Sequence, residues 1–275
     1  MIALYINWDF DSEIINLYGF PLKYYGLLFA CGLLLCMYIL KGIFRRENLK
    51  DSAHEALFIY GIVGIFVGAR LGHCLFYDFD YYSKNLLGII LPIKKTLNGE
   101  YKFIGFAGLA SHGGTVGLII SLYLYSKKYE IKYLKILDLI AIVAPLGATF
   151  IRLANLMNSE MIGNPTTMPW AFIFSRIDNI PRHPAQLYEA ISYFIIFIIV
   201  FTTYKTKNIK LGNGFLFGLA ITLIFTMRIL IEFVKINQVE FENGMILNMG
   251  QILSIPFIVI GIFFMGRNLM RRETE

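Results

Sequence analysis

Polar side chains occur within segments of this chain that are otherwise apolar enough to span a membrane. The clearest are Arg70, His112, Arg152, Asn155, Arg228 and Glu232. Placing an ionisable group at the centre of a bilayer costs about 2.5–3.5 kcal/mol on insertion scales, so such a group marks a functional site. A protein that only needed to span would carry none of them, and the sequence therefore predicts chemistry at these positions.

His112 belongs to the motif Ser-His-Gly-Gly at residues 111–114. Imidazole titrates near neutral pH and is a natural proton acceptor. The following glycines, beginning with Gly113, would allow close approach of a backbone or a lipid headgroup. The alternative is a histidine that only packs in the core. A serine hydrolase is disfavoured, because Ser111 and His112 point about 100° apart on a helix and no Gly-x-Ser-x-Gly elbow is present.

Arg152 and Asn155 are three residues apart and therefore share one face of a predicted helix. A guanidinium offers a planar fork that matches phosphate or carboxylate. Glu160 follows and would hold Arg152 in place. The alternative is an Arg152–Glu160 ion pair that only fixes the end of the helix, but that pair leaves Asn155 and Asn158 unexplained.

Two further motifs place polar residues on shared helical faces. Residues 182–189 read Arg-His-Pro-Ala-Gln-Leu-Tyr-Glu, and Pro184 suits the first position of a helix. The alternative for this motif is a helix start with interfacial aromatic residues. Arg228 and Glu232 are four residues apart and are expected to pair, which partly offsets the cost of burying them. Arg228 would still keep donors for a ligand.

Composition indicates the membrane class that must position these residues. The chain has 275 residues, of which 57% are hydrophobic and 16% charged, whereas soluble domains carry about 25% charged residues. Seven apolar segments of about 20 residues each have the length that a spanning helix needs. They cover roughly 24–44, 56–77, 104–125, 136–157, 186–204, 214–234 and 249–266. We predict an all-α integral membrane protein with a single polytopic domain over 1–275.

Basic residues gather in alternate connections and predict the orientation. One connection contains Lys41, Arg45, Arg46 and Lys50, and another contains Lys127, Lys128, Lys132 and Lys135. The positive-inside rule places these connections in the cytoplasm, with the N-terminus outside and the C-terminus inside. The longest outside segments are then about 78–103 and 158–185, so the site should open outward. This distribution explains the net charge of +6 without nucleic acid as a partner.

Several other features receive structural predictions. Gly64, Gly68 and Gly72 recur every four residues and should let another helix approach closely. Arg70 lies beside them and would either reach the interface or serve a site. The three cysteines fall within the first two spans and should only pack. No His, Cys or carboxylate cluster has the spacing of metal ligands, so no metal is predicted. Residues 1–20 lack a basic region and a cleavage site, so the first span should be retained.

Taken together and in this order, the motifs resemble those of the bacterial prolipoprotein diacylglyceryl transferase family. Tyr25-Gly26 and the segment 68–72 fit the same family, and the resemblance covers about residues 20–265. The chain departs from the family pattern at Ile151, Ala154 and Leu156, around Arg152, and also at Ser159 and at Phe225-Thr226. These departures spare the charged groups, so they bear on local packing more than on activity.

The resemblance implies an activity. Family members move diacylglycerol from phosphatidylglycerol to the thiol of the lipobox cysteine of a prolipoprotein signal peptide, which is the first step of lipoprotein maturation. A thioether forms and glycerol phosphate leaves. The implied location is the bacterial cytoplasmic (inner) membrane, the implied partners are phosphatidylglycerol, prolipoprotein signal peptides and membrane lipids, and no cofactor is implied.

The resemblance also implies roles for individual residues. His112 would be the base, and Arg152 and Arg228 would grip the phosphate. The residues expected to bind or orient phosphatidylglycerol are Arg152, Tyr25, Asn155, Glu160, Gly163, Gly113 and Glu232.

Two other classes of protein compete with this interpretation. A proton- or anion-coupled transporter would also carry intramembrane arginine, histidine and glutamate. It predicts broken helices and an internal repeat, and the sequence shows neither. A lipid-binding scaffold without catalysis would need the glycines and basic groups but would have no use for His112.

Overall fold

A computed structural model describes residues 5–17, 20–91, 93–95, 101–103, 109–206, 211–236 and 244–272. Helices dominate, and short strands lie between them. In chain order the elements are β1 (Ile6–Trp8), β2 (Glu13–Leu17), β3 (Phe20–Lys23), α1 (Tyr24–Arg46), α2 (Asp51–Phe76), α3 (Phe79–Tyr82), α4 (Leu87–Ile90), β4 (Ile93–Lys95), β5 (Tyr101–Phe103), α5 (Ser111–Tyr129), α6 (Tyr133–Met157), β6 (Phe172–Phe174), β7 (Pro181–Arg182), α7 (Ala185–Thr206), α8 (Phe215–Glu232) and α9 (Met249–Arg272).

Six helices in the described part of the chain are long and apolar enough to cross a membrane: α1, α2, α6, α7, α8 and α9. Each matches a predicted span to within a few residues, because the thickness of the hydrocarbon core sets the length of the apolar segment. The prediction of an all-α, multi-pass membrane protein is confirmed. The orientation of the termini stays a prediction.

The predicted third span, 104–125, differs from the structure. The helix α5 begins at Ser111 and continues to Tyr129, and residues 104–108 lie outside the described residues. Its first turn contains His112 and two glycines, and its last turn contains Lys127 and Lys128. These residues leave too short an apolar stretch within α5, so α5 is not among the six helices found in the described residues, where seven spans were predicted.

Short strands were missed by the sequence analysis. β1 pairs in parallel with β6, and β6 pairs antiparallel with β7. Leu156, Phe172 and Phe174 form a small buried core beneath this sheet, with Trp8 packed against it. The Trp8 indole also donates a hydrogen bond to the Leu156 carbonyl over 3.1 Å. The aromatic N-terminal stretch is therefore packed into a sheet.

The chain divides into two compact units. The first unit comprises Met1–Ile43 and Leu137–Glu275, and the second comprises Phe44–Ile136. The expectation of one domain over 1–275 remains a prediction.

In the second unit, glycines bring α2 and α5 into close contact. A Cβ at Gly68 would lie 2.3 Å from the Gly113 carbonyl oxygen, and one at Gly72 would lie 2.8 Å from the Gly113 Cα. A Cβ at Gly64 would meet the Ser121 side chain at 2.2 Å. The stripe of glycines on α2 thus has the predicted role of admitting another helix, since no side chain fits at these contacts.

Arg70 is buried within the second unit and does not extend to an interface. Its Nε donates to the Ile89 carbonyl over 3.1 Å, and its Nη2 donates to the Tyr82 hydroxyl over 3.2 Å and to the Gly88 carbonyl. The guanidinium also lies 5.0 Å from the centroid of the Tyr82 ring. These contacts tie α2 to the segment containing α3 and α4, and they give Arg70 a structural role.

In the first unit, a buried carboxylate binds the start of α8. Asp138 on α6 is fully buried and accepts hydrogen bonds from the backbone N–H groups of Gly212, Gly214 and Phe217 at 2.8, 3.0 and 3.0 Å. The first N–H groups of a helix have no partner within the helix, so a carboxylate there stabilises it. This contact joins α6, which carries Arg152, to α8, which carries Arg228.

Candidate active site

Arg152 lies on the last turns of α6, and its side chain is 17% exposed. Its Nη1 donates a hydrogen bond to Asn155 Oδ1 over 3.3 Å, as their three-residue spacing predicts. Its Nε lies 3.0 Å from Glu189 Oε2 on α7, yet that oxygen accepts no hydrogen bond from the described residues. The contact with Glu189 is therefore an ion pair held by charge, without a directed hydrogen bond.

Glu160 does not form an ion pair with Arg152, so the alternative of a direct Arg152–Glu160 pair at the helix end is wrong. Glu160 Oε2 accepts a hydrogen bond from Asn155 Nδ2 over 3.1 Å, and its Oε1 accepts one from Asn158 Nδ2 over 3.0 Å. Glu160 thus reaches Arg152 only through Asn155. The neighbouring helix supplies the true carboxylate partner, which local spacing along α6 does not reveal.

Glu189 is fully buried and also pairs with Lys235. Lys235 Nζ lies 3.2 Å from Glu189 Oε1 and 3.3 Å from Glu232 Oε2, and the lysine side chain is 3% exposed. Sequence reasoning missed Lys235, although its spacing of three residues from Glu232 was a usable signal. It included Glu189 only as the last residue of the motif at residues 182–189.

The predicted pair between Arg228 and Glu232 is wrong for the part of the chain that the structure describes. The cation on Glu232 is Lys235. The Glu232 carboxylate lies against Gly250 at the start of α9, where a Cβ would sit 2.9 Å from its Cδ. Glu232 is thereby directed toward α9, and Gly250 provides the room for it.

A buried tyrosine lies in the neighbourhood of the two predicted phosphate-binding arginines. Tyr193 on α7 is 3% exposed. Arg152, Arg228 and Glu189 are all near enough to its hydroxyl to act on it electrostatically. Arg152 and Arg228 therefore belong to the same charged region of the first unit. No motif in the sequence distinguishes Tyr193 from the other tyrosines, of which the chain has 17 in all.

Tyr25 and Glu160 share a cavity in the first unit. The cavity measures about 540 Å³ and is lined by Pro21, Leu22, Lys23, Tyr25, Gly26, Asn158 and Glu160. Because Glu160 also bonds to Asn155, the cavity borders the hydrogen-bonded chain that ends at Arg152. Four predicted site residues are thus connected, namely Tyr25, Asn155, Glu160 and Arg152.

Gly163 and the His183 motif pack closely beside this site. The Gly163 N–H donates to the His183 carbonyl over 2.9 Å, and a Cβ at Gly163 would lie 2.6 Å from the His183 carbonyl oxygen and 2.7 Å from the Val234 carbonyl oxygen. Gly163 is therefore required for backbone approach. Pro184 directly precedes α7, one position before the predicted one.

His112 and Gly113 lie in the second unit, at the first turn of α5. His112 is exposed and lines one end of an apolar cavity of about 940 Å³, whose other lining residues include Val67, Leu71 and Val116. No described residue forms a hydrogen bond or ion pair with its imidazole. Gly113 packs against α2. The predicted roles, His112 as the base and Gly113 as a residue that binds phosphatidylglycerol, stay predictions.

Metal binding has no visible basis in the described ranges, where no three His, Cys, Asp or Glu side chains converge in a group that could hold an ion. The chemistry available there comes from arginine, carboxylate, amide and tyrosine groups.

The six apolar helices and the buried, paired charges at their ends define a multi-pass membrane protein with a polar site. A family model described as prolipoprotein diacylglyceryl transferase matches residues 12–267. The chain belongs to the prolipoprotein diacylglyceryl transferase family and is a transferase. The resemblance predicted from the motifs is confirmed.

Three bacterial relatives illustrate the similarity, and each is named phosphatidylglycerol–prolipoprotein diacylglyceryl transferase. The relative from Bacteroides fragilis is 53% identical over 264 residues, which cover 96% of this chain and 95% of the relative. The relative from Porphyromonas gingivalis is 42% identical, with coverage of 100% and 98%. The relative from Chloroherpeton thalassium is 39% identical, with coverage of 98% and 97%.

Proposed function

We propose that the protein transfers the diacylglyceryl group of phosphatidylglycerol to the thiol of the lipobox cysteine in prolipoprotein signal peptides. The names of its relatives support both substrates. The observation that carries the proposal is the partly exposed guanidinium of Arg152, held by Glu189 and Asn155, with Arg228 in the same charged region. Two guanidinium groups in a largely apolar protein suit a phosphodiester headgroup, because arginine pairs with phosphate through a planar fork.

The reaction forms one bond and breaks another at carbon. The substrate thiol, with an ordinary pKa of about 8.5, must first lose its proton, and His112 is the proposed acceptor. The thiolate sulfur attacks the diacylglycerol carbon that bears the phosphate ester. The carbon–oxygen bond breaks, its electrons pass to the phosphate oxygen, and glycerol phosphate leaves. A thioether remains on the peptide.

Arg152 is suited to stabilise the departing phosphate. A guanidinium has five N–H donors, and within the part of the chain that the structure describes the partners of Arg152 are Glu189 and Asn155, with Tyr193 nearby. Donors therefore remain for phosphate oxygens. Groups already oriented toward developing charge lower the barrier without reorganising during the reaction. Arg228 would supply the second charge.

The remaining site residues are proposed to orient the headgroup and the arginines. Tyr25 and Glu160 line the same cavity, which gives the headgroup a polar surface. Asn155 links that surface to Arg152. Gly163 and Gly113 would contribute through backbone approach, and Glu232 through Lys235. We place the enzyme in the bacterial cytoplasmic membrane, with the site open to the outer face, because the basic connections mark the opposite face.

An ion-coupled transporter is not favoured. That class predicts helices broken near the bilayer midplane, whereas α1, α2, α6, α7, α8 and α9 run continuously over the ranges given above. The relatives are named as transferases. A non-catalytic lipid-binding scaffold is disfavoured for the same reason.

Reconstitution tests the proposed function directly. The purified protein is placed in vesicles containing phosphatidylglycerol and incubated with a lipobox peptide, and the peptide is examined by mass spectrometry. We expect a diacylglyceryl thioether and one equivalent of glycerol phosphate. A peptide with serine in place of the lipobox cysteine, and vesicles of phosphatidylethanolamine alone, serve as controls. Failure of the folded protein to modify the cysteine peptide would contradict the proposal.

A further inference from the structure

A chain of alternating charges begins at Arg152 and lies within the first unit. Glu189 links Arg152 to Lys235, with contacts of 3.0 and 3.2 Å. Lys235 continues the chain to Glu232 at 3.3 Å. We infer that Lys235 is a positioning residue, which acts through Glu189 to hold Arg152 in the orientation that grips phosphate. The inference rests on the proposed function and adds Glu189 and Lys235 to the residues of the proposed active site.

The burial of Lys235 indicates that its charge has a use. The side chain is 3% exposed, and removing a charge from water costs several kcal/mol unless partners compensate. Lys235 Nζ donates to Glu189 Oε1 over 3.2 Å and to Glu232 Oε2 over 3.3 Å. An apolar side chain of similar length would fill the same volume without that cost. The ammonium group is therefore matched to the two carboxylates.

Lys235 also determines which oxygen Glu189 presents to Arg152. The lysine occupies Oε1, and this leaves Oε2 facing Arg152 Nε at 3.0 Å. Since Oε2 accepts no hydrogen bond from the described residues, Glu189 holds the Nε side of Arg152 by charge alone, while Asn155 binds Nη1. The orientation of the Nε side of the guanidinium thus depends on the orientation of the carboxylate, which the lysine fixes.

The backbone of Lys235 is itself well anchored. Lys235 forms an antiparallel bridge with Gly163, and its N–H donates to the Glu232 carbonyl over 3.2 Å. Gly163 permits this approach because a Cβ there would lie 2.7 Å from the Val234 carbonyl oxygen. The lysine therefore extends from a fixed point, as a positioning residue requires.

Loss of the lysine would leave two buried carboxylates beside one arginine. Glu189 and Glu232 would lose their shared cation, and like charges repel strongly away from water. Glu189 would then be free to turn away from Arg152. A displacement of about 1 Å at a group that positions substrate can cost on the order of a hundredfold in rate.

Three variants test the inference against wild-type enzyme. Lys235→Met removes the charge and keeps most of the volume, Lys235→Arg keeps the charge, and Lys135→Met is the matched control. Lys135 Nζ pairs with Glu47 Oε2 at 3.0 Å in the second unit. At equal amounts of folded protein, we expect Lys235→Met to lose about a hundredfold in kcat/KM. Lys235→Arg and Lys135→Met should stay within a few-fold of wild type.

A double-mutant cycle separates positioning from a structural role. If Lys235 acts through Arg152, adding Lys235→Met to Arg152→Lys should cause little further loss, and the two single variants should divide their losses between kcat and KM alike. The inference would be overturned if the loss in the double variant equalled the product of the two single losses. It would also be overturned if Lys235→Met were as active as the control Lys135→Met. Should Lys235→Met not fold, Glu189→Gln is expected to show the same loss, and normal kcat/KM in that variant would refute it. A wild-type enzyme without product would instead contradict the proposed function.

Discussion

Arg70 and Arg152 are two arginines held near the ends of apolar helices, one in each unit, and their partners differ in kind. Arg70 donates to two backbone carbonyls and a tyrosine hydroxyl and lies against the tyrosine ring. Arg152 pairs with a carboxylate and an amide and remains 17% exposed. Backbone carbonyl groups accept hydrogen bonds from the guanidinium of Arg70. A carboxylate holds the second arginine by charge and leaves donors without partners among the described residues, so partner chemistry distinguishes a structural arginine from one with the proposed role of binding an anion.

Arg152→Lys should produce the largest effect on turnover. Lysine keeps the charge but loses the fork that matches phosphate. Removing a preorganised contact of this kind costs about 3–4 kcal/mol, or a few hundredfold in rate. We expect that loss in phosphatidylglycerol turnover, measured at equal amounts of folded protein. Near-normal turnover would make Arg228 the leading candidate for the phosphate contact.

Arg70→Lys should show the opposite pattern. A lysine cannot reach the Ile89 carbonyl, the Gly88 carbonyl and the Tyr82 hydroxyl together, and losing hydrogen bonds from a charged donor costs about 2–3 kcal/mol of folding free energy. We expect a lower unfolding temperature in detergent, with kcat/KM per folded molecule within a few-fold of wild type. The comparison fails if Arg70→Lys lowers turnover as Arg152→Lys does while stability is unchanged.

Glu160→Gln sharpens the account of how Arg152 is held. The Glu160 carboxylate accepts from both Asn155 and Asn158. Glutamine would turn an N–H₂ group toward one of these donors, so that one link is lost. We expect about a tenfold fall in kcat/KM, equivalent to about 1.4 kcal/mol. Glu47→Gln, in the second unit, is the matched control and should be close to wild type. If Glu160→Gln and Glu47→Gln have equal kcat/KM, Glu160 does not contribute to the active site.

Metal removal should have the smallest effect. The proposed mechanism uses the guanidinium groups of Arg152 and Arg228, rather than a metal ion, to stabilise the leaving phosphate. We expect wild-type turnover to be unchanged in excess chelator. Activity that falls on chelation and returns with zinc or magnesium would contradict this arginine-based mechanism.

The predictable part of the structure is the part set by the bilayer. The lengths of α1, α2, α6, α7, α8 and α9 follow from apolar runs that match the hydrocarbon thickness. The pairing of β1 with β6 could not be predicted, since three-residue strands far apart in sequence carry no periodic signal. The start of α5 was misplaced because the apolar run before Ser111 resembles the beginning of a span.

The candidate site was predictable only where partners share a helix. Spacing along α6 correctly indicated the contact between Arg152 and Asn155. It could not reveal the contact between Arg152 and Glu189, because the partners of a side chain on another helix depend on how the helices pack. It paired Glu232 with Arg228, although Lys235, three residues away, holds that carboxylate. Local spacing reports neighbours on one element, whereas the charge chain is a tertiary arrangement.

The location of the paired charges has a consequence for how the protein is made. Arg152 lies near the end of α6, Glu189 near the start of α7, and Lys235 just beyond α8. Each helix can therefore enter the bilayer on its own with its ionic group close to the headgroups, where the free-energy cost of inserting a charge is low. The charges lose contact with water only when the helices come together. Assembly of the bundle and formation of the Arg152–Glu189–Lys235 contacts are then one event, and the proposed headgroup site would not exist in a nascent chain before α8 has joined α6 and α7.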